Sequence, residues 1–153
     1  MSQTPDAKHR TLNFKRLIAA TPERVFRALS RVKEKAIWSA PKGDEIKFQK
    51  SDFKFGGVET FRCGPKGDLN FKGILHFEDI IKNKRIVFTE TVFFKKQKLA
   101  TALVTTDLIQ IDKKTLVNMT IQVVSYCGDQ MLTGYASGYK MSLKNLNEYL
   151  KSA

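Results

Sequence analysis

Apolar residues near the C-terminus recur at Leu132, Tyr135, Tyr139, Leu143, Leu146 and Leu150, steps of three and four that draw one stripe along a helix. Gln130, Thr133, Ser137, Lys140, Lys144, Asn147 and Lys151 form the opposite, water-facing side. This spacing predicts a helix over Asp129 to Lys151. Gly134 and Gly138 interrupt it, each at a cost of about 1 kcal/mol relative to alanine. Their spacing of four puts them on one face, where close packing against a strand is the expectation and a cavity wall the alternative.

Upstream the period falls to two. Leu12, Phe14, Arg16 and Ile18 alternate with Asn13, Lys15 and Leu17, which predicts a half-buried strand over Thr11 to Ala19. Thr21-Pro22-Glu23 then starts a helix: threonine caps it, proline occupies the turn whose N–H is unpaired anyway, and the carboxylate sits at the positive end of the dipole. Val25, Phe26 and Leu29 mark its inner face, and it ends near Ser30. A second short helix is expected over Val32 to Trp38, with Ile37 and Trp38 packing inward, before Pro41-Lys42-Gly43 breaks it.

Six further strands follow, at about 45–50, 57–63, 70–80, 85–94, 99–111 and 115–126, each bounded by Gly, Pro, Asp, Asn or Lys-rich turns. Connections of a few residues make neighbours antiparallel hairpins. The expected fold is therefore α+β, a seven-stranded antiparallel sheet with two short helices after the first strand and the long helix last, gripped by the sheet. Residues 1–10, polar and containing Pro5, are expected to form a flexible arm, and residues 11–153 one domain.

A net charge of +12 raises the question of nucleic acid. The lysines are spread along the chain and no nucleic-acid-binding motif accompanies them, so a solvated basic surface is expected and no dedicated nucleic-acid site. No run approaches the roughly 20 apolar residues of a membrane span, and MSQTPDAKHR lacks the apolar core of a signal peptide, so the expected location is cytoplasmic. Cys63 and Cys127 are far apart, and His9 and His76 are the only histidines. Neither a metal site nor a disulfide framework is indicated, no cofactor is expected, and both thiols are expected to be reduced.

The run DFKFGGVETFRCGP (Asp52 to Pro65), followed by KNKRIVFTE (Lys82 to Glu90), resembles the activator-of-heat-shock-protein-ATPase (AHSA) branch of the START-like, polyketide-cyclase and birch-pollen-allergen (SRPBCC) superfamily. TPERVFRAL with Trp38 following, KLATALVTTDL (Lys98 to Leu108), and the closing Gly138, Tyr139, Leu143 and Leu146 add to the likeness, which spans about Asn13 to Leu150. The resemblance implies a helix-grip fold, a curved antiparallel sheet around the C-terminal helix with a hydrophobic cavity between them. It places a tight reversal at Gly56-Gly57. Lys82-Asn83-Lys84 and Arg31-Val32 depart from the family's proline-containing turn and Asp-Pro at those positions, changes confined to turns.

Candidate chemistry is sparse. Parity puts Glu59 with Phe61 and Cys63 on one face, and Glu90 with Ile86, Phe88 and Val92 on another, so both carboxylates would face the core if Phe61 and Phe88 do. There they could act as acid and base or hold a polar ligand group. The simpler expectation is that each lies near a strand end and pairs at the rim with an arginine such as Arg16 or Arg62. His76 falls on a polar, outward face and His9 in the arm, so no Ser–His–Asp or Cys–His site is assembled and no catalytic residue is assigned. Gly64-Pro65-Lys66-Gly67 reads as a hairpin turn rather than a phosphate loop.

Eleven phenylalanines suggest an apolar pocket, although a filled core would look the same. The expected ligand-binding residues are Trp38, Glu59, Phe61, Phe71, Phe88, Glu90, Tyr135 and Tyr139, with Trp38 more simply a core wedge. The preferred function is non-enzymatic binding of a small hydrophobic or amphipathic molecule by a monomer or homodimer. The alternatives are a chaperone-regulating or stress-related module with an acidic protein partner, and a cyclase- or hydrolase-type enzyme.

Overall fold

The computed structural model describes residues 6–152. Its elements are β1 (Lys8–Ile18), α1 (Pro22–Ser30), α2 (Val32–Trp38), β2 (Asp44–Ser51), β3 (Val58–Pro65), β4 (Phe71–Ile81), β5 (Arg85–Phe94), β6 (Gln97–Ile111), β7 (Lys114–Ser125) and α3 (Asp129–Ser152). The seven strands form one antiparallel sheet in the order β1-β7-β6-β5-β4-β3-β2. Strands β2 to β7 thus meander in sequence, and β1 closes onto the last of them. The hairpin turns are tight enough that Asn83, Lys95 and Asp112 adopt positive φ.

Local chemistry sets the helix ends. Thr21 Oγ1 accepts from the Arg24 N–H at 3.3 Å, and Pro22 follows in the first turn. Arg31, with extended backbone, ends α1 through its N–H to Arg27 O and leads directly into α2. The α2 indole is fixed by a bond from Trp38 Nε1 to Ala28 O at 3.0 Å, which makes Trp38 a wedge between the two short helices. Ile37 does not pack inward as expected: it is 66% exposed, because a seven-residue helix that buries Trp38 turns the adjacent position outward.

Helix α3 packs against β1, β7 and α2. Its Leu132, Leu143 and Leu146 join Ile18, Val104, Val117 and Ile121 in one core cluster. Tyr149 donates to Glu34 Oε1 at 2.8 Å while Arg24 Nη1 lies 2.7 Å from the same oxygen, which ties α1, α2 and α3 together. Burial pushes the Glu34 carboxyl up, but the bonds from Tyr149 and Arg24 outweigh it and hold the pKa below its ordinary value.

Three further expectations change. Lys8 to Arg10 pair with Ser125 to Val123, so the strand takes in the end of the expected arm; residues 1–5 lie outside the described residues. Asn147 is buried instead of facing water, because this part of the helix is flanked by α2 as well as by the sheet. Gly134 and Gly138 pack against nothing: a Cβ at either would meet no atom within 4 Å. Close approach occurs instead at Gly57, where a Cβ would stand 1.9 Å from the Asp52 carbonyl oxygen.

Alanine at these glycines should therefore act in opposite directions. Gly134→Ala and Gly138→Ala should each stabilise by up to about 1 kcal/mol, whereas Gly57→Ala should cost about 1–3 kcal/mol through backbone displacement. Urea unfolding midpoints of the three variants check the signs.

Candidate functional site

Strand register assembles the site on the concave face. Ser51 pairs with Glu59, Glu59 with Leu75, Leu75 with Glu90, and Glu90 with Ala102, so the two carboxylates lie in one row across the sheet with a single leucine between them. At about 4.8 Å per strand their Cα atoms are roughly 10 Å apart. Both are buried, Glu59 at 1% and Glu90 at 8% exposure. The expected pairing with an arginine at the rim does not form. Arg62 is exposed on the other face of β3, and Arg16 sits on β1 opposite Val117.

Glu59 is met by Lys35, which reaches down from α2 to Oε2, and by Ser51 Oγ, which donates to Oε1 at 2.9 Å. Burial pulls the Lys35 pKa down, and the charge of Glu59 opposes this. The ammonium also lies 5.0 Å from the Phe48 ring centroid. Glu90 accepts from two α3 hydroxyls at the same oxygen: Tyr135 and, at 3.2 Å, Tyr139 both donate to Oε1. Burial raises the Glu90 pKa against the lowering effect of those two bonds and of Lys35. Burial followed by the charge of Glu90 puts both tyrosines well above 10.

The apolar groups divide into two sets. Phe26, Phe53, Phe77 and Phe88 form a chain of edge-to-face contacts, with centroids 5.7, 4.9 and 6.3 Å apart, that fills one end beneath the short helices. Phe88 is therefore chiefly packing. Phe48 with Phe61 (5.9 Å) and Phe71 with Phe94 (5.0 Å) stand at the other end. Phe61 lies over Gly73, whose missing side chain makes room for its ring. These four, with Ile46, Cys63, Val92 and Tyr139, are only half-buried, whereas concave-face residues on β6 and β7 such as Ala102, Val104, Ile121 and Val123 are fully buried. Two surface concavities, about 660 Å³ around Thr21, Asn83 and Leu108 and about 410 Å³ along His9–Thr11 and 122–124, lie elsewhere.

A family model described as Activator of Hsp90 ATPase homolog 1-like protein matches residues 19–151. The chain belongs to this family. An uncharacterised protein from Rhizobium leguminosarum has a similar structure at 27% identity and TM-score 0.86, covering 97% of this chain and 98% of the other. A protein from Rhizobium loti matches at 26% and 0.84, covering 95% and 99%, and one from Chromobacterium violaceum shares the fold at 21% and 0.79, covering 90% and 94%. None of the curated proteins matches. The curved sheet with its long C-terminal helix is the helix-grip architecture of these structures.

Of the expected residues, the structure brings together Glu59, Glu90, Phe61, Tyr135 and Tyr139; Phe71 stands at the open end, and Trp38 and Phe88 serve the core. Sequence reading missed Lys35, Ser51, Phe48 and Phe94. For Lys35 a signal existed, since three residues before Trp38 on a helix is the same buried face. Cys63 also faces this region, its thiol pushed up to about 11 by burial, with Glu90 and Asp44 adding to it. Among the described residues no group of three His, Cys, Asp or Glu side chains could hold a metal ion. No helix there is long and apolar enough to cross a membrane.

Two measurements probe the buried charges. Lys35→Met should cost about 3–5 kcal/mol by stranding Glu59, while Lys35→Met with Glu59→Leu should recover most of that loss, in a double-mutant cycle of unfolding free energies. Because burial raises the Glu90 pKa above 4.5, folding favours its protonated form. Wild type should lose stability relative to Glu90→Gln as pH rises from 4.5 through the raised value, which unfolding midpoints across that range would reveal.

Proposed function

We propose that the protein binds a small hydrophobic or amphipathic molecule between α3 and the concave face of β2–β5, without chemical turnover. The supporting observation is a contrast in burial along one face of one sheet: closed over β6 and β7 and at Leu75 and Phe77, half-open at Phe48, Phe61, Phe71 and Phe94 beside the buried Glu59 and Glu90. An apolar recess with a few convergent polar groups is the usual form of a small-molecule site. Phe48, Phe61, Phe71 and Phe94 supply contact area, and Tyr139 and Glu90 meet the polar end. Catalysis is not part of this reading, since His9 and His76 are both exposed and neither stands beside a nucleophile in the cluster.

A second reading, docking of an acidic protein such as a chaperone client, draws on the convex face. Lys47, Arg62 and Lys72 stand directly opposite one another on β2, β3 and β4, and none forms an ion pair among the described residues. Like charges in that register repel, which an acidic surface would relieve.

Native mass spectrometry of protein soaked in a lipid extract, together with titration of a hydrophobic fluorescent dye, tests the ligand reading. A retained small molecule and saturable dye binding, weakened at least about tenfold by filling the recess with Val92→Phe, are expected. Unsaturable dye binding and a mass spectrum of bare protein would overturn it, and salt-sensitive capture by acidic proteins would then favour the second reading.

A further inference from the structure

The cluster leaves one strong acceptor unused. Glu59 has both oxygens engaged, Oε1 by Ser51 and Oε2 by Lys35. In Glu90, both donors go to Oε1, and Oε2 has no donor among the described residues. That oxygen is nevertheless not completely enclosed, and Glu90 as a whole keeps 8% of its surface exposed. A carboxylate more than nine-tenths buried, with one oxygen fixed by two tyrosines and the other free, is a site that awaits a donor.

Charge specifies what kind of donor. The Lys35 ammonium is held against Glu59, and those two charges cancel. Ionised Glu90 is then left without a dedicated countercharge, and an anionic head would meet it as a like charge at short range. We propose that the ligand of this recess is a cationic amphiphile whose primary ammonium group donates to Glu90 Oε2 while its apolar body lies along Phe61, Val92 and Tyr139. This assignment rests on the ligand-binding reading above. Lys35 is unsuited to serve as that countercharge, because its Nζ is tethered to Glu59 on the far side of Leu75.

Binding is then linked to protons. Burial favours the neutral form of Glu90 in the free protein, so an arriving ammonium ion takes the place of a proton that leaves to solvent. The other titratable groups facing Glu90 are Lys35 on α2, Glu59 and Cys63 on β3, and Tyr135 and Tyr139 on α3. The tyrosines and Cys63 are shifted upward and keep their protons near neutrality. The Lys35 pKa is lowered by burial, and its contribution persists in a Glu90→Gln variant, which separates the two.

Calorimetric titration of decylamine, decanol and decanoate into the purified protein tests the assignment. Decylamine at pH 8 should bind about tenfold or more tightly than decanol, as expected for a hydrogen bond between two charged groups, and decanoate should bind least. The preference for the amine should shrink as pH falls through the raised pKa of Glu90, and Glu90→Gln should abolish it. Equal or tighter binding of decanol or decanoate, or an amine preference that survives in Glu90→Gln, would overturn the assignment and leave the recess as a site for other ligands. Failure of all three to bind removes the ligand reading and the amine with it. Should the variant not fold, the order of the three probes on the wild-type protein and its pH dependence decide alone.

Discussion

One helix cannot cover seven strands. An α-helix with side chains is about 10–12 Å across, whereas six inter-strand intervals span roughly 29 Å, so a single helix overlies two or three strands. Here α3 lies over the β1–β7 side, and α1 and α2 reach part of the remainder. Curvature brings the β2–β5 side round towards the helix without closing it. The half-buried aromatics and the polar row at Glu59 and Glu90 both follow from this mismatch of widths. On the concave face, Ala102, Val104, Ile121 and Val123 of β6 and β7 are fully covered, as are Leu75 and Phe77 of β4, whereas Phe48, Phe61, Phe71 and Phe94 are partly bare.

Polar groups at the floor of such a recess carry a cost that a packed core would not. A buried ion pair like Lys35–Glu59 adds little net stability over an apolar replacement, because desolvation offsets most of the attraction. Glu90 adds a further ionisable group, held by two hydroxyls at one oxygen. Around them, Ser51 and the α2 backbone fix the second layer: Ser39 Oγ donates to Lys35 O, and Ser142 on α3 donates to Ser39 O at 3.3 Å, so the helix carrying the lysine is tied to the helix carrying the tyrosines. Those bonds hold α2, and with it the backbone of Lys35, against α3.

Much of this was legible in the residues. Alternation located all seven strands, placing β5 at Arg85–Phe94 as observed, and the Thr21-Pro22 start and Pro41 stop bracketed the short helices. Parity correctly turned Glu59 and Glu90 to the concave face. What alternation lacks is depth: it cannot say how far from a strand end a side chain is covered, so rim pairing with arginine looked simpler than a buried lysine. Lys35 was hidden for a related reason, since a cation on a seven-residue helix reads as solvated until Trp38 fixes which side faces down. The two glycines of α3 misled in the opposite direction, because spacing shows that they share a face but not whether anything occupies it.

Those glycines also distribute stability unevenly along α3. From Leu143 onward the helix buries Leu143, Leu146, Asn147 and Leu150 and is clamped through Tyr149 to Glu34. Its first half offers Leu132 and Tyr135 as buried anchors, together with half-buried Tyr139, and carries both Gly134 and Gly138 with open space beside them. Each glycine lowers the helical preference of that half by about 1 kcal/mol. Local opening free energies track such differences in packing and propensity, so α3 is weaker over Tyr135 and Tyr139 than beside α2.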